Sequence, residues 1–100
     1  MLLGSDAAVS AVEVASGELV GFVRALSDGV FRSTIFDLIV ASEWRGRGLG
    51  QALVRRILAT PALERCRRTD LVCRADMAGF YETLGFELSA PDQIRMEWTR

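Results

Sequence analysis

The chain contains no histidine and no lysine. Without histidine it lacks the commonest general base of neutral pH and the commonest zinc ligand, so no metal site is expected. Without lysine it cannot build the Gly-Lys-Ser/Thr loop of the Walker nucleotide-binding proteins, and all 12 of its basic residues are arginine. Cysteine is scarce. Cys66 falls in an arginine-rich turn and Cys73 in an apolar strand, and an isolated pair of this kind reads as reduced structural cysteine, not as a disulfide framework. No apolar run approaches the roughly 20 residues of a membrane-crossing helix. The opening Met1-Leu2-Leu3-Gly4 is too short for a secretory leader. A cytoplasmic location with no membrane partner is expected on these grounds.

What is present indicates one small folded unit. Half of the 100 residues are hydrophobic, which excludes disorder and sets the expectation of a single domain over residues 1–100 with one core. Charge is unevenly spread. Residues 1–44 carry six acids and two arginines, residues 45–74 two acids and eight arginines, and residues 75–100 five acids and two arginines, giving −4, +6 and −3. The basic middle would attract an anionic ligand. Arg55, Arg56, Arg65, Arg67 and Arg68 also fit a solvated helix face. A nucleic-acid surface is disfavoured, because no aromatic residues interleave with these arginines.

Periodicity orders the elements. Ala11–Ala15 and Leu19–Leu26 flank Ser16-Gly17-Glu18 as a hairpin, and Ser27-Asp28-Gly29 is a second turn. Val30–Val40 is a long strand, with Val30, Thr34, Phe36, Leu38 and Val40 on one face and Phe31, Ile35 and Ile39 on the other. Leu49–Ala59 is an amphipathic helix stopped by Thr60-Pro61, and Ala62–Arg67 forms one further turn. Thr69–Arg74 is a strand and Met77–Leu84 a short helix. Phe86–Leu88 and Ile94–Trp98 are strands around a turn at Ala90-Pro91-Asp92. The order is βββαβαββ, with no repeat and no linker.

Between the long strand and the amphipathic helix lies Arg45-Gly46-Arg47-Gly48-Leu49-Gly50. A strand, a glycine-arginine loop and a helix N-terminus make an anion cradle: unpaired N–H groups point outward, the helix dipole favours negative charge, and glycine permits close approach. The arginines add forked donors. The dinucleotide fingerprint G-x-G-x-x-G fails, because its third glycine would stand at Gln51. The spacing Arg45-x-x-Gly48-x-Gly50 instead resembles motif A of the GCN5-related N-acetyltransferases, which bind the pyrophosphate of acetyl-CoA. Phe80-Tyr81-Glu82-Thr83-Leu84-Gly85-Phe86 resembles motif B of the same family, a helix closed by a glycine in the left-handed position. The resemblance covers roughly residues 10–98. Its finer pattern, in Thr34–Val40 and Phe80–Glu87, is similar to the cyanobacterial and plastid branch, which includes enzymes acting on serotonin-like arylalkylamines and on protein lysines or N-termini.

The resemblance implies an α/β (α+β) fold with a mixed, mostly antiparallel sheet flanked by helices. It implies an N-acetyltransferase that uses acetyl-CoA as donor and a primary amine as acceptor. Backbone groups of Leu38, Ile39 and Val40 would bind the pantetheine arm and the thioester carbonyl. Arg45, Gly46, Arg47, Gly48, Leu49, Gly50 and Gln51 would hold the pyrophosphate. Tyr81 would protonate the departing thiolate, a role open to a phenol of ordinary pKa at neutral pH. Asp76 is either the base that relieves the amine of its proton or only the N-cap of the motif B helix. Asp37, interrupting an apolar strand, either faces the acceptor or is exposed. Trp44 reads as packing and Glu43 as an edge of the cradle. Family members usually begin with a strand and two helices, for which the residues ahead of the first hairpin are too few. A second protomer is therefore expected to cover the exposed edge, making a homodimer. Two other classes stay open: a non-catalytic acyl-CoA-binding module and an arginine-rich interaction domain.

Overall fold

The first hairpin forms where the sequence places it, but earlier. In the computed structural model, which describes residues 5–27, 31–90 and 93–99, β1 (Ser5–Val12) pairs antiparallel with β2 (Leu19–Ser27). β1 stops short of Ala15 because the turn closes early. The Gly17 N–H donates to the Glu13 carbonyl at 2.8 Å, the Glu13 N–H to the Glu18 carbonyl at 2.9 Å, and Ser16 Oγ to Glu13 Oε1 at 2.7 Å. The turns expected at Asp28-Gly29 and Pro91-Asp92, and the strand start at Val30, lie outside the described residues.

β3 (Arg32–Val40) pairs antiparallel with β2 and parallel with β4 (Arg68–Val72). β6 (Gln93–Thr99) pairs antiparallel with β4 and with β5 (Glu87–Ala90), so the six strands run β1-β2-β3-β4-β6-β5 across a mixed sheet. The connections carry α1 (Leu49–Leu58), the one-turn α2 (Pro61–Glu64) and α3 (Ala78–Glu82), with 3₁₀ turns at Ser42–Trp44 and Ala75–Met77. This is the expected βββαβαββ order with the extra turn after α1.

Both crossovers, β3 to β4 through α1 and β4 to β5 through α3, join parallel strands and step the same way across the sheet. Right-handed crossovers of that kind put their helices on one face, and the Phe80 ring of α3 indeed lies against Gly50 of α1. The core is the layer between this face and the helices. Val23, Ile35 and Met96 from the sheet meet Val54 and Ile57 of α1 and Phe86 beyond α3. α1 earns its place by its stripe, since Leu53, Val54, Ile57 and Leu58 are all buried. α3 ends as expected. Gly85 takes φ 97°, the Gly85 N–H donates to the Glu82 carbonyl at 3.0 Å and the Phe86 N–H to the Tyr81 carbonyl at 3.1 Å, the two bonds of a Schellman cap. Cys66 is fully buried, with Sγ 3.4 Å from Ser27 Oγ, and both cysteines are free thiols.

One expectation of strand alternation needs correction. Phe36 does not share a face with Leu38 and Val40. Arg24 pairs with Asp37 while the next residue, Ala25, pairs with Ile35, so β3 carries a bulge at Phe36. The extra residue reverses the parity. Ser33 and Ile35 are buried toward the helices before it, and Leu38 and Val40 pack on the core after it, while Phe36, Asp37 and Ile39 are exposed on the opposite face.

Candidate active site

The parallel ladder between β3 and β4 ends at Ile35 and Leu71, one residue before the bulge, although β3 runs on to Val40. Past that point the two strands no longer pair, which leaves a gap in the sheet. Antiparallel pairing fixes which groups face it. The Ala41 N–H donates to the Val20 carbonyl at 2.8 Å, so residues 39 and 41 turn their main chain toward β2, and Leu38 and Val40 turn theirs toward the gap. Of the three backbone positions proposed for the pantetheine arm, two therefore face the opening, and Ile39 is bonded to Phe22 of β2.

At the end of β3 the cradle closes the gap. Gly46 and Gly48 both hold positive φ, 75° and 83°, and Gly48 is the N-cap of α1 without any side-chain cap. The first helical bond runs from the Ala52 N–H to the Gly48 carbonyl at 3.1 Å, so the N–H groups of Leu49, Gly50 and Gln51 precede the helical ladder. Gly50 has an ordinary φ; its constraint is space, because a Cβ there would stand 3.1 Å from the Phe80 ring. The arginines are held at their stems. Arg45 Nε donates to the Val40 carbonyl at 3.2 Å, tying the loop to the last residue of β3, and the Arg47 guanidinium lies 5.0 Å over the Trp44 ring. Trp44 thus packs as expected, but on the cradle's own arginine.

Tyr81 lies on α3, beyond the end of β4, and is only 6% exposed. Phe80 and Phe86 meet it edge-on, with ring centroids at 4.9 and 5.6 Å. Burial, with a smaller contribution from the negative charge Cys73 carries once ionised, pushes the phenol above its ordinary pKa. Burial, and then the Asp76 carboxylate, push the Cys73 thiol up as well. Both groups keep their protons at neutral pH, which suits Tyr81 to proton donation.

The family profile described as "Acetyltransferase (GNAT) domain" matches residues 6–88. This chain belongs to the GNAT family. It is 37% identical over 82 residues to the GCN5-related N-acetyltransferase 2, chloroplastic, of Arabidopsis thaliana, a match over 81% of this chain and 31% of that protein. It is 36% identical over 80 residues to the Serotonin N-acetyltransferase 2, chloroplastic, of Oryza sativa subsp. japonica, over 80% of this chain and 40% of that protein. The chain thus spans less than half the length of these relatives. A solved aminoglycoside 6'-N-acetyltransferase complexed with coenzyme A has the same fold, with a TM-score of 0.78 at 22% identity, over 94% of this chain and 72% of that one.

Within the GNAT domain the two candidate carboxylates stand apart from the buried layer. Asp76 is not the N-cap of α3, which is Met77 with no side-chain cap. A 3₁₀ turn over Ala75–Met77 intervenes, and it carries Asp76 outward to meet Arg74 Nη2 at 3.0 Å. Asp37 lies on the helix-free face, 3.4 Å from Arg24 Nε, with the Arg24 guanidinium also over the Phe36 ring at 5.4 Å. Glu43 sits exposed in the 3₁₀ turn before the cradle. A cleft of about 430 Å³ opens elsewhere, between β1 and α1, lined by Val9, Ala11, Leu53 and Arg56 among others, and contains none of Arg45, Asp76 and Tyr81.

Two residues gain a place that sequence reasoning withheld. Phe80 packs against the core and also bridges α3 to the cradle through Gly50, where a Cβ would stand 3.1 Å from its ring. Cys73 is the first residue past β4 and is near enough for its charge to act on Tyr81 and for that of Asp76 to act on it. Nothing in its sequence context marks that position, since it depends on where the parallel ladder stops.

Proposed function

We propose that this GNAT domain transfers the acetyl group of acetyl-CoA to a primary amine by direct attack in a ternary complex. The observation that carries the reading is the gap itself. It opens where the β3–β4 ladder stops, with main-chain groups of Leu38 and Val40 along one side, the amides of Leu49, Gly50 and Gln51 following β3, and a protonated, buried Tyr81 on the helix beyond β4. An extended amide-bearing arm with a diphosphate at one end matches that layout: amide groups pair with the open strand, and the diphosphate meets the helix N-terminus and the two arginines.

In the reaction the amine nitrogen attacks the thioester carbonyl, and a main-chain N–H of β3 stabilises the oxyanion. The C–S bond then breaks, and the thiolate takes the Tyr81 proton. The proton of the amine leaves to Asp76 or to water. Asp37, half-exposed beside the gap, is the candidate to meet a cationic acceptor. The name of the rice relative supports an arylalkylamine such as serotonin as acceptor, and other members of that branch support a protein lysine or N-terminus.

Calorimetric titration with acetyl-CoA, followed by a thiol-release assay over serotonin, tryptamine, polyamines and short peptides, tests this. Binding with release for one acceptor class supports the reading and identifies the class. Binding without release makes the chain an acyl-CoA-binding module, and absence of binding removes the assignment of the cradle.

A further inference from the structure

β1 is the outer strand of the sheet at one end, with β2 on its inner side. The Val20 carbonyl takes the Ala41 N–H, so Val20 and Phe22 turn their main chain toward β3, and Val23 turns its own toward Val9 of β1. Alternation then points the N–H and C=O groups of Ala8 and Ser10 away from the sheet. Such edges are usually blunted by charge, proline or a bulge. Ala7-Ala8-Val9-Ser10-Ala11 has no charge and no proline, and the irregularity in the β1–β2 ladder comes only after Ala11. Over this edge lies the cleft of about 430 Å³ between Val9 and Ala11 of β1 and Leu49, Ala52, Leu53 and Arg56 of α1. The four helix residues fall at i, i+3, i+4 and i+7, one stripe of α1. Small residues keep the cleft open. A Cβ on Gly21, the partner of Ala11, would stand 2.9 Å from Leu53 Cδ1 and 3.1 Å from Leu49 Cδ2, so both leucines lie down on β2 and leave the space over β1 clear.

Charge identifies the occupant. Arg56 is exposed at the rim, and among the described residues it forms no ion pair. A second copy of β1 does not supply one, since Ala7-Ala8-Val9-Ser10-Ala11-Val12 contains no acid. We propose that the open edge of β1 accepts an extended segment of another protein as an added strand, with an apolar side chain in the cleft beside Leu49 and Leu53 and a carboxylate two residues away at Arg56. Strand addition takes its affinity from main-chain bonds and its specificity from alternate side chains. Residues two apart on a strand share a face at roughly 6.7 Å. Leu53 and Arg56 are about 4.5 Å apart along the helix axis, and the arginine side chain covers the difference. The proposal concerns binding at β1 alone and does not depend on the acetyl-transfer reading.

Fluorescence anisotropy on the whole chain tests it, without acetyl-CoA. The probe is a labelled peptide of sequence Ser-Ile-Ser-Ile-Ser-Glu-Ser, capped at both ends so that its glutamate is the one charge. Two further copies of the peptide are N-methylated, one at its serines and one at the residues between them. Because only alternate N–H groups of an added strand face β1, one methylated set is expected to weaken binding at least about tenfold and the other to change it less than about threefold. Ala52→Phe fills the cleft and Arg56→Glu reverses its charge, both at exposed positions, so the fold is retained, as circular dichroism will verify. Each is expected to weaken the unmethylated peptide at least about fivefold, while Arg55→Glu, outside the cleft, leaves it within about twofold. A wild-type chain that leaves the peptide free at millimolar concentration overturns the proposal. So does binding that both methylated peptides retain or both lose, or that Arg55→Glu weakens as much as Arg56→Glu. Binding that disappears as the chain is concentrated means that a second copy holds the edge, and overturns it too.

Discussion

At the scale of the residue, Tyr81 is the position where burial and chemistry meet. Its hydroxyl is the proton donor of the proposed reaction, and its ring is packed between Phe80 and Phe86. Phenylalanine keeps the packing and removes the proton. Tyr81→Phe is therefore expected to lower kcat by about 100-fold or more while leaving acetyl-CoA affinity within about twofold. Steady-state kinetics beside calorimetry checks this, and unchanged turnover removes Tyr81 from the mechanism. The same burial makes a prediction about pH. The folded-state pKa values of Cys73 and Tyr81 lie above their ordinary values of 9.0 and 10.0. Below those ordinary values both groups are protonated in the folded and the unfolded chain, and stability is full. As pH rises toward the elevated folded values, the unfolded chain ionises first and stability is lost. Denaturant midpoints should fall from pH 9.0 upward, and Tyr81→Phe should flatten the part of the fall above 10.0. A midpoint independent of pH across that window contradicts the burial argument.

At the scale of the element, one contact between α1 and α3 sets the Phe80 ring against Gly50. Gly50→Val would drive a branched side chain into Phe80, whose ring already lies 3.1 Å from where a Cβ would stand. Overpacking of this kind costs about 1–3 kcal/mol, and it tilts α3 away from the cradle. Acetyl-CoA affinity and turnover should both fall, and pairing Gly50→Val with Phe80→Ala should restore part of the affinity. If the double variant binds no better than Gly50→Val alone, the contact is not what aligns the two elements. The sequence made much of this arrangement legible. The cradle, the stripe of α1 and the Schellman glycine after α3 are local, so residue types and spacing announce them. The bulge at Phe36 was not legible. Its cause is the pairing of β3 with β2, and no residue in Ile35-Phe36-Asp37-Leu38 departs from a plain strand pattern. The bulge decides which residues face the gap, so the face of Asp37 and the place of Cys73 were hidden with it. The N-cap reading of Asp76 failed for a related reason, because a 3₁₀ turn in front of α3 looks the same in sequence as the helix itself.

At the scale of the whole molecule, two surfaces with different physics point in opposite directions through the sheet. The cradle draws on the basic middle of the chain, +6 over residues 45–74 between blocks of −4 and −3, and under the proposed function its exposed Arg45 and Arg47 would meet the phosphates of acetyl-CoA. The helix-free face of β1–β3 instead exposes Phe36 and Ile39. Sodium sulfate tests the cradle. It screens exposed charge, and its anion competes for the helix N-terminus, so acetyl-CoA binding should weaken steadily as it is added. Calorimetry across a series of sulfate concentrations gives the curve, and a steady loss of affinity is the expected outcome. Acetyl-CoA binding indifferent to sulfate would mean that the arginines of the cradle do not reach the phosphates.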